Sequence, residues 1–128
     1  MSEAEIIQIA RGHLESLFPK ECPNCGRRYA TLKEYIRDTT RIGATRSYDA
    51  ETGDWNTKDP IGMVAAANCA CGNTLTLTSE GMPLELELQV LKWLRAEGER
   101  RGLNASQLLD LMRDKLRDQL VGNAEGKT

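Results

Sequence analysis

The sequence predicts an α+β fold in which a helix opens the chain, a small antiparallel sheet follows, and a helical hairpin closes it. Three observations carry that reading. Apolar residues recur at helical spacing over 2–18 and again over 104–121. The stretch TLTLT at 74–78 alternates with period two, as a strand with one polar face does. Four cysteines are spent as two tight pairs, Cys22 with Cys25 and Cys69 with Cys71, and each pair is followed by a glycine.

In the first helix, Ser2 is placed to cap, and Glu3 and Glu5 sit where the helix dipole favours negative charge. Ile6, Ile9, Ala10, Leu14 and Leu17 form its apolar stripe, and Pro19 stops it. After the first cysteine pair, 31–40 reads as a short helix with Thr31 as cap, Glu34 three residues on, and Leu32, Tyr35 and Ile36 as its apolar face. Residues 42–58 read as irregular, with a turn at DAETGDW and with Tyr48 and Trp55 flanking a hairpin. Pro60 then leads into IGMVAAAN, a buried strand running to the second cysteine pair.

The last third is rich in Leu, Glu, Lys and Arg. Residues 83–102 favour a helix on propensity, with Pro83 suited to its first turn. Leu84, Leu86, Leu88 and Val90 also alternate as a strand would, so a hairpin over TLTLTSEGMPLELEL stays open. As a helix, this segment carries apolar groups on more than one side, which suits burial between elements or in a dimer. At 104–121, Asn104 caps, Gln107 reaches back, Leu103 can clasp Leu108, and Leu109, Met112, Leu116 and Leu120 form a stripe ended by Gly122. The organisation expected is 1–79 for the N-terminal helix and cysteine-bearing domain, 80–122 for a helical segment packing on it or on a partner, and a disordered tail at 123–128.

At 128 residues the chain has the length of one domain. Hydrophobic residues are 40% of it but aromatics only 5%, and a core short of rings is one that a structural metal often supports. The formal net charge of −2 argues against a protein held to nucleic acid by overall charge. No run of 18 apolar residues offers a membrane span, and the acidic N-terminus lacks the build of a secretory signal. A cytoplasmic setting is therefore expected, where paired thiols bind metal more often than they form disulfides.

Zinc takes four ligands in a tetrahedron, and thiolates suit it. In Cys-x-x-Cys-Gly the chain folds back so that backbone amides point at the sulfurs, and glycine permits the turn. CPNCG at 22–26 has that form, and CACG at 69–72 is the same device with one residue fewer. Cys22, Cys25, Cys69 and Cys71 are thus read as ligands of one ion in a closed, structural site, with Zn²⁺ expected; the spacing alone suits iron as well. A dithiol redox role for Cys22 and Cys25 is a rival. The lone histidine, His13, reads as a partly buried helical residue.

With Cys22, Cys25 and Gly26, then Cys69, Cys71 and Gly72, and the strand TLTLT behind them, the sequence resembles the zinc-ribbon group of folds over 20–78. The resemblance implies a metal-stabilised ribbon, here expanded by the residues between the two pairs, and no particular task. The C-terminal third, 74–121, is similar to the ribbon-helix-helix layout of small DNA-binding dimers, which implies that Thr74, Thr76 and Thr78 would face the major groove.

Arg27, Arg28, Lys33, Arg37, Arg41 and Arg46 face only Glu34 and Asp38 within 27–46, and on one helix Lys33, Arg37 and Arg41 would form a single stripe. That is a phosphate-binding surface or, more plainly, a solvated face whose Arg27 and Arg28 steady a thiolate centre. Asp49, Glu51, Asp54 and Asp59 read as a solvated turn, since a calcium loop would need alternating ligands and a closing glutamate. No phosphate-binding glycine loop, nucleophile elbow or metalloprotease helix is present. These readings favour a non-enzymatic, regulatory or interaction module, with a protein partner or a second copy bound through 84–121. A DNA-binding regulator and a thiol-disulfide oxidoreductase are the alternatives.

Overall fold

A computed structural model describes residues 1–122; the tail read as disordered, 123–128, lies outside the described residues. The fold is mixed α and β. In chain order it has α1 (Glu3–Ser16), β1 (Lys20–Glu21), β2 (Arg28–Tyr29), α2 (Leu32–Asp38), β3 (Thr40–Ser47), α3 (Tyr48–Thr52), β4 (Met63–Asn68), β5 (Thr74–Thr78), α4 (Leu84–Arg101) and α5 (Ala105–Val121). β1 and β2 form a two-stranded antiparallel hairpin, and β3, β4 and β5 form a three-stranded antiparallel sheet in that order. Among the described residues, no helix is long and apolar enough to cross a membrane.

The helix starts follow from their caps. Ser2 accepts from the Glu5 amide while the Glu5 carboxylate accepts from the Ser2 amide, and Asn104 and Gln107 form the same reciprocal pair at α5. Thr31 caps α2 by accepting from the Glu34 amide. Residues 84–90 are helical, which resolves the choice between helix and strand: Val90, Leu91, Trp93 and Leu94 turn one face of α4 inward. Leu84 stays exposed.

Two sequence expectations are corrected. Residues 42–52 are not irregular, because β3 runs through Ser47 and α3 follows at once, capped by the Ser47 hydroxyl on the Ala50 amide, whereas 53–58 holds no helix or strand. β3 escapes notice because most of it is exposed and its pairing with β4 shifts register between Ile42 and Arg46, which breaks the period-two pattern. The stripe of Lys33, Arg37 and Arg41 does not exist, because α2 ends at Asp38 and Arg41 stands on β3.

Arg41 instead ties the sheet to α5. Its guanidinium reaches Asp110 and Asp114, and the Asp110 carboxylate also accepts from the Thr45 amide at 2.8 Å. One core cluster joins Ile6 and Ile7 of α1, Tyr29, Leu32 and Tyr35, Leu75 and Leu77 of β5, and the inward residues of α4 and α5. The cysteines Cys22 and Cys69 belong to that cluster.

The α4–α5 turn depends on close approach. A Cβ on Gly98 would lie 2.8 Å from the Leu103 carbonyl oxygen, a backbone atom that cannot swing aside. Alanine would gain about 1 kcal/mol of helix propensity, but overpacking of this kind costs roughly 1–3 kcal/mol. Gly98→Ala is therefore expected to destabilise by about 1 kcal/mol net in urea unfolding. A stabilised variant would show that the turn yields.

Candidate metal centre

Each hairpin brings one cysteine pair to its tip. Cys22 and Cys25 lie in the β1–β2 turn, where the Gly26 amide donates to the Cys22 carbonyl at 2.9 Å and the Cys22 amide to the Arg27 carbonyl at 2.8 Å. Cys69 and Cys71 lie in the β4–β5 turn, where the Gly72 amide donates to the Cys69 carbonyl at 2.8 Å and the Cys69 amide to the Asn73 carbonyl at 2.9 Å. Gly26 and Gly72 hold φ of 77° and 92°, the left-handed region that glycine enters without a Cβ penalty. The turns are short because the glycines let the chain double back.

The two tips face each other. All four sulfurs lie within 4.8 Å of one another, with Cys22 to Cys71 and Cys25 to Cys69 each at 3.7 Å across the gap. A tetrahedron with metal–sulfur bonds of about 2.3 Å has edges of about 3.8 Å. The cluster is therefore compatible with one metal ion held by four thiolates. The inner pair, Cys22 and Cys69, is buried at 0% and 3% exposure, whereas Cys25 and Cys71 are exposed.

The surroundings prepare the two buried sulfurs, those of Cys22 and Cys69, for negative charge. The Cys25 amide, then that of Asn24, lowers the Cys22 thiol below its ordinary value. The Cys71 amide and the Tyr29 hydroxyl bring Cys69 down to about 6. At Cys25 the strongest influence, the Arg27 amide, also favours the thiolate, yet burial and the three neighbouring sulfurs push it up to about 11. Four sulfurs this close cannot all ionise against one another, and a divalent cation is what removes that conflict.

Three side chains that the sequence did not single out complete the centre. Asn24, between the first two cysteines, donates to Cys71 across the gap at 3.4 Å, and Asn73, after the second pair, donates back to Cys22 at 3.7 Å. The signal for both was their place inside or directly behind a knuckle. Tyr29 donates its hydroxyl to Cys69 at 3.0 Å and sets its ring edge-on to Tyr35, which meets Phe18 in the same way. Three of the chain's few rings thus join the thiolates to the core, a link that needs the hairpin to be seen. Such outer contacts orient ligands and tune a metal.

His13 is not part of the cluster; its Nε2 pairs with the Thr78 carbonyl at 2.9 Å. Arg27 stacks over the Tyr29 ring at 4.6 Å and pairs with Asp38. Arg41 pairs with Asp110 and Asp114, and Arg46 with Glu51. Thr74 and Thr76 lie exposed on the outer sheet face, opposite Asn68 and Ala66 of β4. Compared with known protein families, curated proteins and solved structures, the chain finds no match.

Proposed function

We propose that the chain is a non-enzymatic zinc-binding module, an expanded zinc ribbon whose Cys22, Cys25, Cys69 and Cys71 hold one structural Zn²⁺ and whose C-terminal helices engage a protein partner or a second copy. The observation that carries the metal reading is the meeting of two independent hairpin tips with sulfur separations suited to a tetrahedron. Four thiolates fill the coordination shell, which is the mark of a structural site and leaves no position for substrate. The interaction reading rests on the first turns of α4, where Leu84 is exposed and Leu86 and Leu88 are half-buried, and on Leu111, exposed on α5. Such a surface is available for burial against another protein.

Elemental analysis of the purified chain is expected to return one zinc per molecule; iron would instead give a coloured protein with the same stoichiometry. A folded, metal-free protein would overturn the proposal. Alkylating reagents are expected to spare Cys22 and Cys25 until a chelator is added, and prompt labelling of both in the loaded protein would favour a thiol oxidoreductase. The basic run of 27–46 offers DNA little unpaired charge, since Arg27, Arg41 and Arg46 already face carboxylates. Sedimentation of the wild type against Leu84→Glu tests association through α4.

A further inference from the structure

The inner face of the sheet is under-filled at its centre. Ala65 and Ala67 of β4 stand opposite Leu77 and Leu75 of β5, and side chains on directly opposite positions share a face. Methyl groups reach only a short way toward α1, α2 and α5. The space they leave is a hollow of about 180 Å³, walled by Ile7, Leu14, Leu77, Leu109 and Met112 among others. Ala65 remains partly exposed although it points inward. An apolar cavity of about 150 Å³ is large enough to take up benzene.

Three arginines line this hollow: Arg41, already ion-paired with Asp110 and Asp114, and Arg113 and Arg117. Arg113 and Arg117 are four residues apart on α5 and so share a face. Arg113 is half-buried and donates to the Ala66 carbonyl at 2.9 Å and the Thr45 hydroxyl at 3.4 Å. Arg117, at the exposed rim, donates to the Ile36 carbonyl at 3.0 Å. Among the described residues, neither has a carboxylate within ion-pair reach; the nearby Asp110 and Asp114 are engaged by Arg41. Burial above all, and then the charge of Arg41, holds the Arg113 pKa below its ordinary value. Asp110 and Asp114 act on Arg113 only at a distance, its direct hydrogen bonds go to neutral oxygens, and a partly desolvated cation so placed is a group that an anion would relieve.

We propose that the hollow binds a small carboxylic acid with a compact apolar body, its carboxylate on Arg113 and Arg117 and its body against Ala65 and Ala67. A volume of about 180 Å³ suits a single ring or a short branched chain. Arginine is the side chain best matched to a carboxylate, because its planar fork can donate two parallel hydrogen bonds. The proposal stands apart from the metal reading, since none of its residues touches a cysteine sulfur.

The test uses the full, metal-loaded chain titrated with benzoate and, separately, with benzyl alcohol, followed by amide chemical shifts. Benzoate is expected to give saturable shifts at Ala65, Ala67 and Met112. Arg113→Gln should weaken benzoate by about tenfold or more, the usual worth of a charge-assisted hydrogen bond, and leave benzyl alcohol unchanged. Should Arg113→Gln not fold, Arg117→Gln carries the same comparison, because its side chain stands at the rim. Ala67→Leu, which fills the hollow, should abolish binding of both compounds. Absence of benzoate shifts at millimolar concentration would overturn the proposal, as would equal affinity for benzoate in the wild type and in whichever arginine variant folds.

Discussion

Cys69→Ser will leave a chain that retains less than one metal ion per molecule and melts without a cooperative transition. Cys69 is buried at 3% exposure, accepts the Tyr29 hydroxyl, and sits in the same cluster as the core. A structural zinc contributes about 10–16 kcal/mol of apparent binding energy in small zinc domains. A whole domain is stable by only about 5–15 kcal/mol. An ion held by these four sulfurs would thus contribute as much as the entire margin. β1 and β2 pair over two residues each, and a hairpin that short does not persist alone. Without the cation, the first hairpin has only its side chains to keep it against the second, and the four sulfurs repel as they ionise. Helical signal from α4 and α5 should survive in part, since the α5 cap, the Gly102 turn that ends α4 and the Leu108 contacts do not pass through the metal. Circular dichroism and differential scanning calorimetry on the wild type, the chelated protein and Cys69→Ser check this together. A variant that melts like the wild type would remove the metal from the account of stability.

What the sequence made legible is what local chemistry decides. Ser2, Thr31 and Asn104 each cap the helix they were placed to cap, because a cap needs only the next three residues. The two cysteine knuckles were legible because each is built from its own few residues, and only the meeting of their sulfurs needed the fold. β5 showed itself because one of its faces is buried and the other wet. β3 did not, since TRIGATRS has few apolar residues and owes its place to long-range partners: β4 on one side, and Asp110 with Asp114 on the other. Arg41 could not be placed from the sequence for the same reason, because its carboxylate partners, Asp110 and Asp114, lie far away on α5. The hollow was hidden too. Three successive alanines suggest a buried strand, but that Ala65 and Ala67 face a space lined by Arg113 and Arg117 depends on register and on the α5 face.

Asp49→Ala is expected to cost about 3 kcal/mol, although the sequence places Asp49 in an acidic turn that reads as solvated. Its carboxylate is 3% exposed and accepts the Ile61 amide at 2.8 Å and the Gly62 amide at 3.0 Å. The main chain closes the same loop where the Tyr48 amide donates to the Gly62 carbonyl at 3.0 Å. Hydrogen bonds to a charged group contribute about 1.5–3 kcal/mol each, and truncation leaves two donors without an acceptor, of which water can recover part. Asp49→Asn should fall between wild type and alanine, because its amide oxygen can take one donor while its NH₂ group meets the other. Position matters as much as energy here. Gly62 immediately precedes β4, where the Met63 amide donates to the Ser79 hydroxyl, so Asp49 anchors one end of the strand whose other end carries Cys69. The two anchors are separate, and their variants should differ in kind. Asp49→Ala should lower the urea midpoint and speed amide exchange at Ile61 and Gly62 while keeping one metal ion per chain, whereas Cys69→Ser loses the ion. Loss of metal from Asp49→Ala would mean that the β4 register is set from the Asp49 end and the thiolate cluster merely follows it; a cost below about 1 kcal/mol, the worth of one ordinary hydrogen bond, would mean that the loop holds without its carboxylate.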